Sequence, residues 1–201
     1  KEGGSGQKHN LRRDKMECTT IRDPIHGQIL LSALETEIVD TPSFQRLRLV
    51  HQLGLAHLVY PGAQHTRFEH SLGTLFLADK ISLHLGISED ERACLRLSAL
   101  LHDVGHLPFS HDSEEVLQKT LGRHEKIGEK IIRSSPISDL LSASHSPKEI
   151  AQISSGRGFG QIICADVGAD RMDYLLRDAH YTGVAYGIID WSRAIATMKW
   201  G

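Results

Sequence analysis

The chain has 201 residues, a formal net charge of −2, 40% hydrophobic and 24% charged residues, enough for one domain with a sizeable core. Near-neutral charge and 5% aromatics leave no basic stripe with interleaved aromatics, so nucleic acid is not the expected partner. No apolar run approaches the ~18 residues of a membrane helix, and Cys18, Cys94 and Cys164, odd in number and far apart, argue against a disulfide scaffold or a zinc ribbon.

Residues 1–17 are polar and glycine-rich and read as a flexible leader without a signal peptide. A cytoplasmic location is expected, or a nuclear one in a eukaryote. From Cys18 to Ser32 two β-like runs, CTTI and QILL, flank the turn chemistry of RDPIHG, which predicts a small hairpin. From Leu34 the pattern turns helical. Pro42 stands at an early helical position, and the helix it opens is expected to run through SFQRLRLVHQ to a stop at Gly54.

Tyr60-Pro61-Gly62 marks a loop. Leu72, Leu75, Phe76, Ile81 and Leu85 recur at helical spacing over Arg67–Leu85, and Gly86 ends that helix. Ser88 and Glu91 form a capping-box pattern opening a helix expected to span Glu89–Val104 and to stop at Gly105. Short helices are expected at Ser113–Leu121 and His124–Arg133. Another starts at Ser146-Pro147, SSGRGFG reads as a loop, and Gln161–Asp178 as mostly helical. The sum is a mostly α domain with a small N-terminal β-hairpin.

The chemistry centres on LLHDVGHLPFSH, residues 100–111, with His102 and Asp103 adjacent at the end of an apolar helical run. An imidazole and a carboxylate so close can reach one metal ion, and a mixed shell of this kind suits Zn, Fe, Mn or Ni better than Ca. His70 lies 32 residues earlier, enough for a helix, a turn and a return helix to bring it to the same point. Asp170, Asp173, Tyr174 and Arg177 recur at i, i+3, i+4 and i+7 and share one helix face. Such a face is either solvated or lines a site, and the flanking Leu175 and Leu176 favour the second.

The order His70, His102-Asp103, Asp170 resembles the HD-domain metal-dependent phosphohydrolases. RDPIHG, DTPSFQRLRLVHQLG, PGAQHTRFEHSLG, LLHDVGHLPFSH and ADRMDYLLRD together resemble the deoxynucleoside triphosphate triphosphohydrolase branch of that family, over roughly Thr20–Gly187. The resemblance implies an HD-domain helical bundle over residues 18–201. It implies that His70, His102, Asp103 and Asp170 bind a divalent metal (Zn, Fe, Mn, Ni or Mg), and that His106, His111, Glu114 and His124 form the catalytic cluster. His111 then protonates the leaving oxygen, oriented by Glu114, where the family commonly has Asp.

Arg67 and Arg171 match phosphate-contacting positions, the second where lysine is common, and Gln52, Leu53, Tyr174 and Asp178 match sugar-contacting ones. Asp40, Gln45 and Arg48 match an allosteric site for GTP or dGTP. The implied reaction hydrolyses a dNTP to a deoxynucleoside and triphosphate, in a homo-oligomer (dimer or tetramer). The alternatives are an HD-type nucleotidase or phosphodiesterase on other nucleotides, and a non-catalytic guanine-nucleotide sensor. Members of this branch usually continue beyond the position of Gly201. The domain is therefore expected to be truncated there, with exposed apolar surface on its C-terminal side and a tendency to self-associate.

Overall fold

The computed structural model describes residues 18–109, 117–134 and 136–199. Strands β1 (Thr19–Asp23) and β2 (Gly27–Leu31) pair antiparallel with Ile21 opposite Ile29, confirming the hairpin. Alternation buries Ile29 and Leu31 on one side, and Gly27 takes the positive φ of 77° that closes the turn. Within that turn, Asp23 Oδ1 accepts from the backbone N–H groups of Ile25 (2.9 Å) and His26 (2.8 Å).

Helix α1 (Ala33–Val39) starts at a reciprocal capping box between Ser32 and Glu35. Helix α2 is only Pro42–Gln45 and passes into a 3-10 turn at Arg46–Leu49, so the expected helix to Gly54 does not form. The reason is tertiary. Val50 turns extended and its carbonyl accepts from Arg67 N–H (2.8 Å), while Gln52 N–H donates to the His65 carbonyl (3.0 Å). Residues 50–52 are thus bridged to 65–67, which seats Gln52 beside Arg67.

Helix α3 (Arg67–His84) is the central element and packs between α4 (Glu89–Leu101) and α9 (Ala169–Thr182). It buries most of its circumference: Phe68, Leu72, Leu75, Leu77 and Ile81 all face the core. The remaining helices are α5 (His124–Ser134), α6 (Pro136–Ser142), α7 (Pro147–Ser154), α8 (Gln161–Cys164) and α10 (Trp191–Thr197). The mostly α architecture with one N-terminal hairpin is as expected. Among the described residues no helix is long and apolar enough to cross a membrane, and the three cysteines form no disulfide.

Several helices differ from the sequence reading. Helix α4 ends at Leu101, so His102 and Asp103 sit in the turn just past it. The stretch Gln161–Asp178 is broken over residues 165–168, where any Cβ on Gly168 would lie 2.3 Å from the Ile163 carbonyl oxygen. Helices α6 and α10 were not expected. Of the helix expected at 113–121, residues 117–121 are helical, and 113–116 lie outside the described residues.

Candidate metal centre

Three elements deliver the site. Helix α3 contributes His70 from its first turn, the turn after α4 contributes His102 and Asp103, and α9 contributes Asp170 from its first turn. Ligand atoms of His70, His102 and Asp170 lie within 4.8 Å of one another. Asp103 faces both imidazoles, with Oδ2 at 3.6 Å from His70 Nε2 and Oδ1 at 3.5 Å from His102 Nε2. All four expected ligands therefore meet at one place.

Hydrogen bonding sets the tautomers. His102 Nδ1 lies 2.7 Å from the Ala99 carbonyl, which can only accept, so Nδ1 carries the proton and Nε2 presents a lone pair. His70 Nδ1 donates to Asp173 Oδ2 at 2.8 Å, with the same consequence. Both Nε2 atoms are buried and make no well-directed hydrogen bond in the protein, with Asp170 Oδ1 lying 3.1 Å from His70 Nε2 and 3.8 Å from His102 Nε2. A divalent cation fits that donor set: two orphaned imidazole nitrogens beside two carboxylates.

Electrostatics agree. Burial opposes a charge on His70, yet Asp170 and Asp173, as acceptors beside its ring nitrogens, and the charges of Asp173 and Asp103 overcome it and push its pKa up to about 10. Burial likewise opposes ionising Asp103, but Arg67, His102 and His106 hold it well below the usual carboxylate range. The site demands positive charge at His70 Nε2, and a proton or a metal ion answers the same demand.

Arg67 is buried and donates to Asp103 Oδ2 at 2.6 Å. His106 is buried 3.2 Å from Asp103 Oδ1 and stacks on His124, ring centroids 4.0 Å apart. Burial lowers the His106 pKa to about 4 against the pull of Asp103, with help from Arg67 and His124. The carbonyls of Val104 and His106 accept from Arg46, which fixes this turn. Close backbone packing brings His124 in: a Cβ on Gly105 would sit 2.0 Å from the His124 carbonyl oxygen and 2.4 Å from Gly128 N. His111 and Glu114 lie outside the described residues.

Gln52 is buried beside Arg67 with Oε1 unpartnered, and Leu53 is half-buried next to it. Asp178 accepts from His65 Nε2 at 2.7 Å, while Tyr174 is half-buried on the same helix. Arg171 is exposed and pairs with Asp166 at 3.2 Å. Asp40, Gln45 and Arg48 lie along one surface stretch. Arg48 Nε donates to Gln45 Oε1 (2.8 Å), and its guanidinium covers the Phe68 ring at 3.5 Å.

Four residues lie behind the centre, none of which was given a role from the sequence: Asp173, Arg177, His26 and Asp23. Asp173 and Arg177 belong to the polar helix face expected to line a site, whereas Asp23 and His26 were visible only as turn chemistry. All four are buried.

The HD domain family matches residues 67–178, which spans every described metal-facing residue. The chain belongs to the HD-domain family. This HD domain is 46% identical over 179 residues to an uncharacterized protein of Methanocaldococcus jannaschii, covering 89% of this chain and 37% of that protein. It is 51% identical over 98 residues to the human deoxynucleoside triphosphate triphosphohydrolase SAMHD1, covering 45% of this chain and 16% of that one. A phosphohydrolase structure from Bacteroides thetaiotaomicron superposes with a TM-score of 0.80 at 35% identity, over 92% of this chain and 47% of that one. A hypothetical protein from Aquifex aeolicus superposes with a TM-score of 0.84 at 39% identity, over 90% and 51%. The HD domain thus spans about half the length of these structures, and less of the curated relatives just named.

Proposed function

We propose that this HD domain is the catalytic core of a metal-dependent phosphohydrolase that cleaves dNTPs to a deoxynucleoside and inorganic triphosphate. The observation that carries the reading is the convergence of the orphaned Nε2 atoms of His70 and His102 with Asp170, next to buried Arg67 and the His106–His124 stack. Similarity to the human dNTP triphosphohydrolase supports the substrate.

His70, His102, Asp103 and Asp170 would hold the ion. A divalent cation bound there supplies Lewis acidity to a phosphate oxygen and to water. Arg67 exchanges its bond to Asp103 for the planar, bidentate recognition of phosphate oxygens that suits a guanidinium, and Arg171 neutralises charge from the exposed side of α9. The unpartnered Gln52 Oε1 accepts from a sugar hydroxyl, with Leu53, Tyr174 and Asp178 closing on the deoxyribose. Water attacks the α-phosphorus, the bond to the 5′-oxygen breaks, and His111, oriented by Glu114, protonates that oxygen. His106, neutral at pH 7, and His124 keep hydrogen-bonding capacity beside the reacting phosphate. A guanine nucleotide at Asp40, Gln45 and Arg48, and assembly into a homo-oligomer, complete the proposal. Exposed Leu49, Leu58 and Val59, and on the C-terminal side Tyr186 and Ile188, offer apolar surface for such assembly.

The test is product analysis with each dNTP and Mn(II). Deoxynucleoside with triphosphate is expected, and His102→Ala should abolish it together with metal content. Monophosphate with pyrophosphate would overturn the chemistry proposed here, and hydrolysis of dNMPs alone would identify a nucleotidase instead.

A further inference from the structure

Among the described residues, a set of deeply buried charges stands behind the histidines of the candidate metal centre. Arg177 and Asp173 have fully buried side chains, and the Asp23 side chain is 3% exposed. Asp173 is an acceptor used to its limit. Oδ1 takes His26 Nε2 (2.6 Å) and an Arg177 terminal nitrogen (2.9 Å), and Oδ2 takes His70 Nδ1 (2.8 Å) and Arg177 Nε (2.9 Å). Four donors in four directions leave the carboxylate no alternative orientation. Arg177 passes its remaining terminal nitrogen to Asp23 Oδ2 at 2.8 Å. The other oxygen of Asp23 accepts from the backbone of the hairpin turn. His26 is held as a ring, stacked on Phe76 with centroids 4.9 Å apart and edged by Trp191.

Space is reserved for this arrangement. Gly73 lies one turn after His70 on α3, and a Cβ there would sit 1.8 Å from Asp173 Oδ1. The charges of Asp23, Arg177 and Asp173 leave one net negative charge directed at His70.

We propose that Asp23 and His26, in the turn of the N-terminal hairpin, are positioning residues for the metal ligand His70, acting through Asp173 and Arg177. The chain of bonds fixes the imidazole's rotation and keeps the proton on Nδ1, so that Nε2 points its lone pair into the centre with raised basicity. This gives the RDPIHG segment a role that a turn alone does not require. It also links the hairpin to metal binding: what loosens the turn weakens the site, and what fills the site tightens the turn.

The inference rests on the reading of His70, His102 and Asp170 as a metal centre, so the experiment tests both. Cobalt(II) affinity and visible absorption are measured for the wild type, His26→Phe, Asp173→Asn and, as a control on the centre itself, His102→Ala. His26→Phe keeps the ring between Phe76 and Trp191 and removes only the bond to Asp173. Folded His26→Phe should bind cobalt roughly tenfold more weakly with a changed spectrum, and Asp173→Asn up to roughly 100-fold more weakly. In the wild type, cobalt should slow amide exchange over residues 23–28, and His26→Phe should lose that protection. If Asp173→Asn does not fold, His26→Phe decides. Lower melting temperatures with wild-type affinity and spectrum in His26→Phe would make the network a structural staple and overturn the proposal. Wild-type cobalt binding by His102→Ala would overturn the metal centre itself.

Discussion

Two arginine-centred networks tie the hairpin to the helical core, and they differ in what lies beside them. Arg177 is fully buried and bridges Asp23 to Asp173. Arg96, on α4, is 16% exposed. It holds Glu35 with two nitrogens (2.8 and 2.7 Å), reaches the Leu30 carbonyl (2.8 Å) and shares Asp79 with Arg92. The chemistry is the same forked guanidinium on carboxylate. Water reaches the Arg96 and Asp79 side of the second network, although Glu35 is as buried as Asp23, and that network fastens α1 and β2 to α4. The first is sealed, and one of its bonds is to the His70 imidazole that faces the candidate centre. Burial converts an ion pair from a fastener into a positioning device, because only a sealed pair cannot re-pair with solvent.

The sharpest way to break this comparison is to truncate both arginines. Arg177→Met leaves Asp173 and Asp23 buried without their cation and should cost about 3–5 kcal/mol in denaturant unfolding. Arg96→Met should cost about 1–3 kcal/mol, because Glu35 keeps its capping bond and gains water. Equal losses would erase the distinction. Acid titration gives the next effect. His106 is neutral when folded, with a pKa of about 4, and takes a proton near pH 6.5 when unfolded. The unfolded state therefore binds the extra proton between those values, and stability falls by up to about 3 kcal/mol as pH drops from about 6.5 to 4. His70 acts oppositely, with stability lost as pH rises from about 6.5 towards 10. Unfolding free energies measured from pH 4 to 8, with His106→Gln flattening the acid limb, check the sign. The smallest effect belongs at the rim of the exposed network. Glu89 is 82% exposed where it meets Arg92, and Glu89→Gln should change stability by less than about 1 kcal/mol.

Much of the fold was legible because local chemistry and tertiary structure agree. Ser88 caps α4 through the Glu91 N–H, Gly86 takes the positive φ that ends α3, and Ile29 and Leu31 alternate inward. The helix through Arg46–Gly54 was misread because its pattern is helical, whereas the backbone of residues 50–52 is claimed by residues 65–67. The candidate site was legible to the extent that His70, His102, Asp103 and Asp170, the residues expected to bind metal, converge in the fold. The face carrying Asp173 and Arg177 was legible as lining a site, but their sealed pairing was not, because opposite charges at i,i+4 look alike on a solvated face and in a sealed one. What distinguishes them is a partner some 150 residues away, Asp23, and a glycine, Gly73, whose missing side chain makes the room.

The contact of Gly105 with the His124 carbonyl and Gly128 sets a tolerance. Main chain lies on main chain there, with no side chain between to act as an adjustable shim. The approach of α5 to the His106 turn is therefore set by backbone contact and not by intervening side chains. Any side chain at position 105 would push α5 outward and carry His124 away from His106.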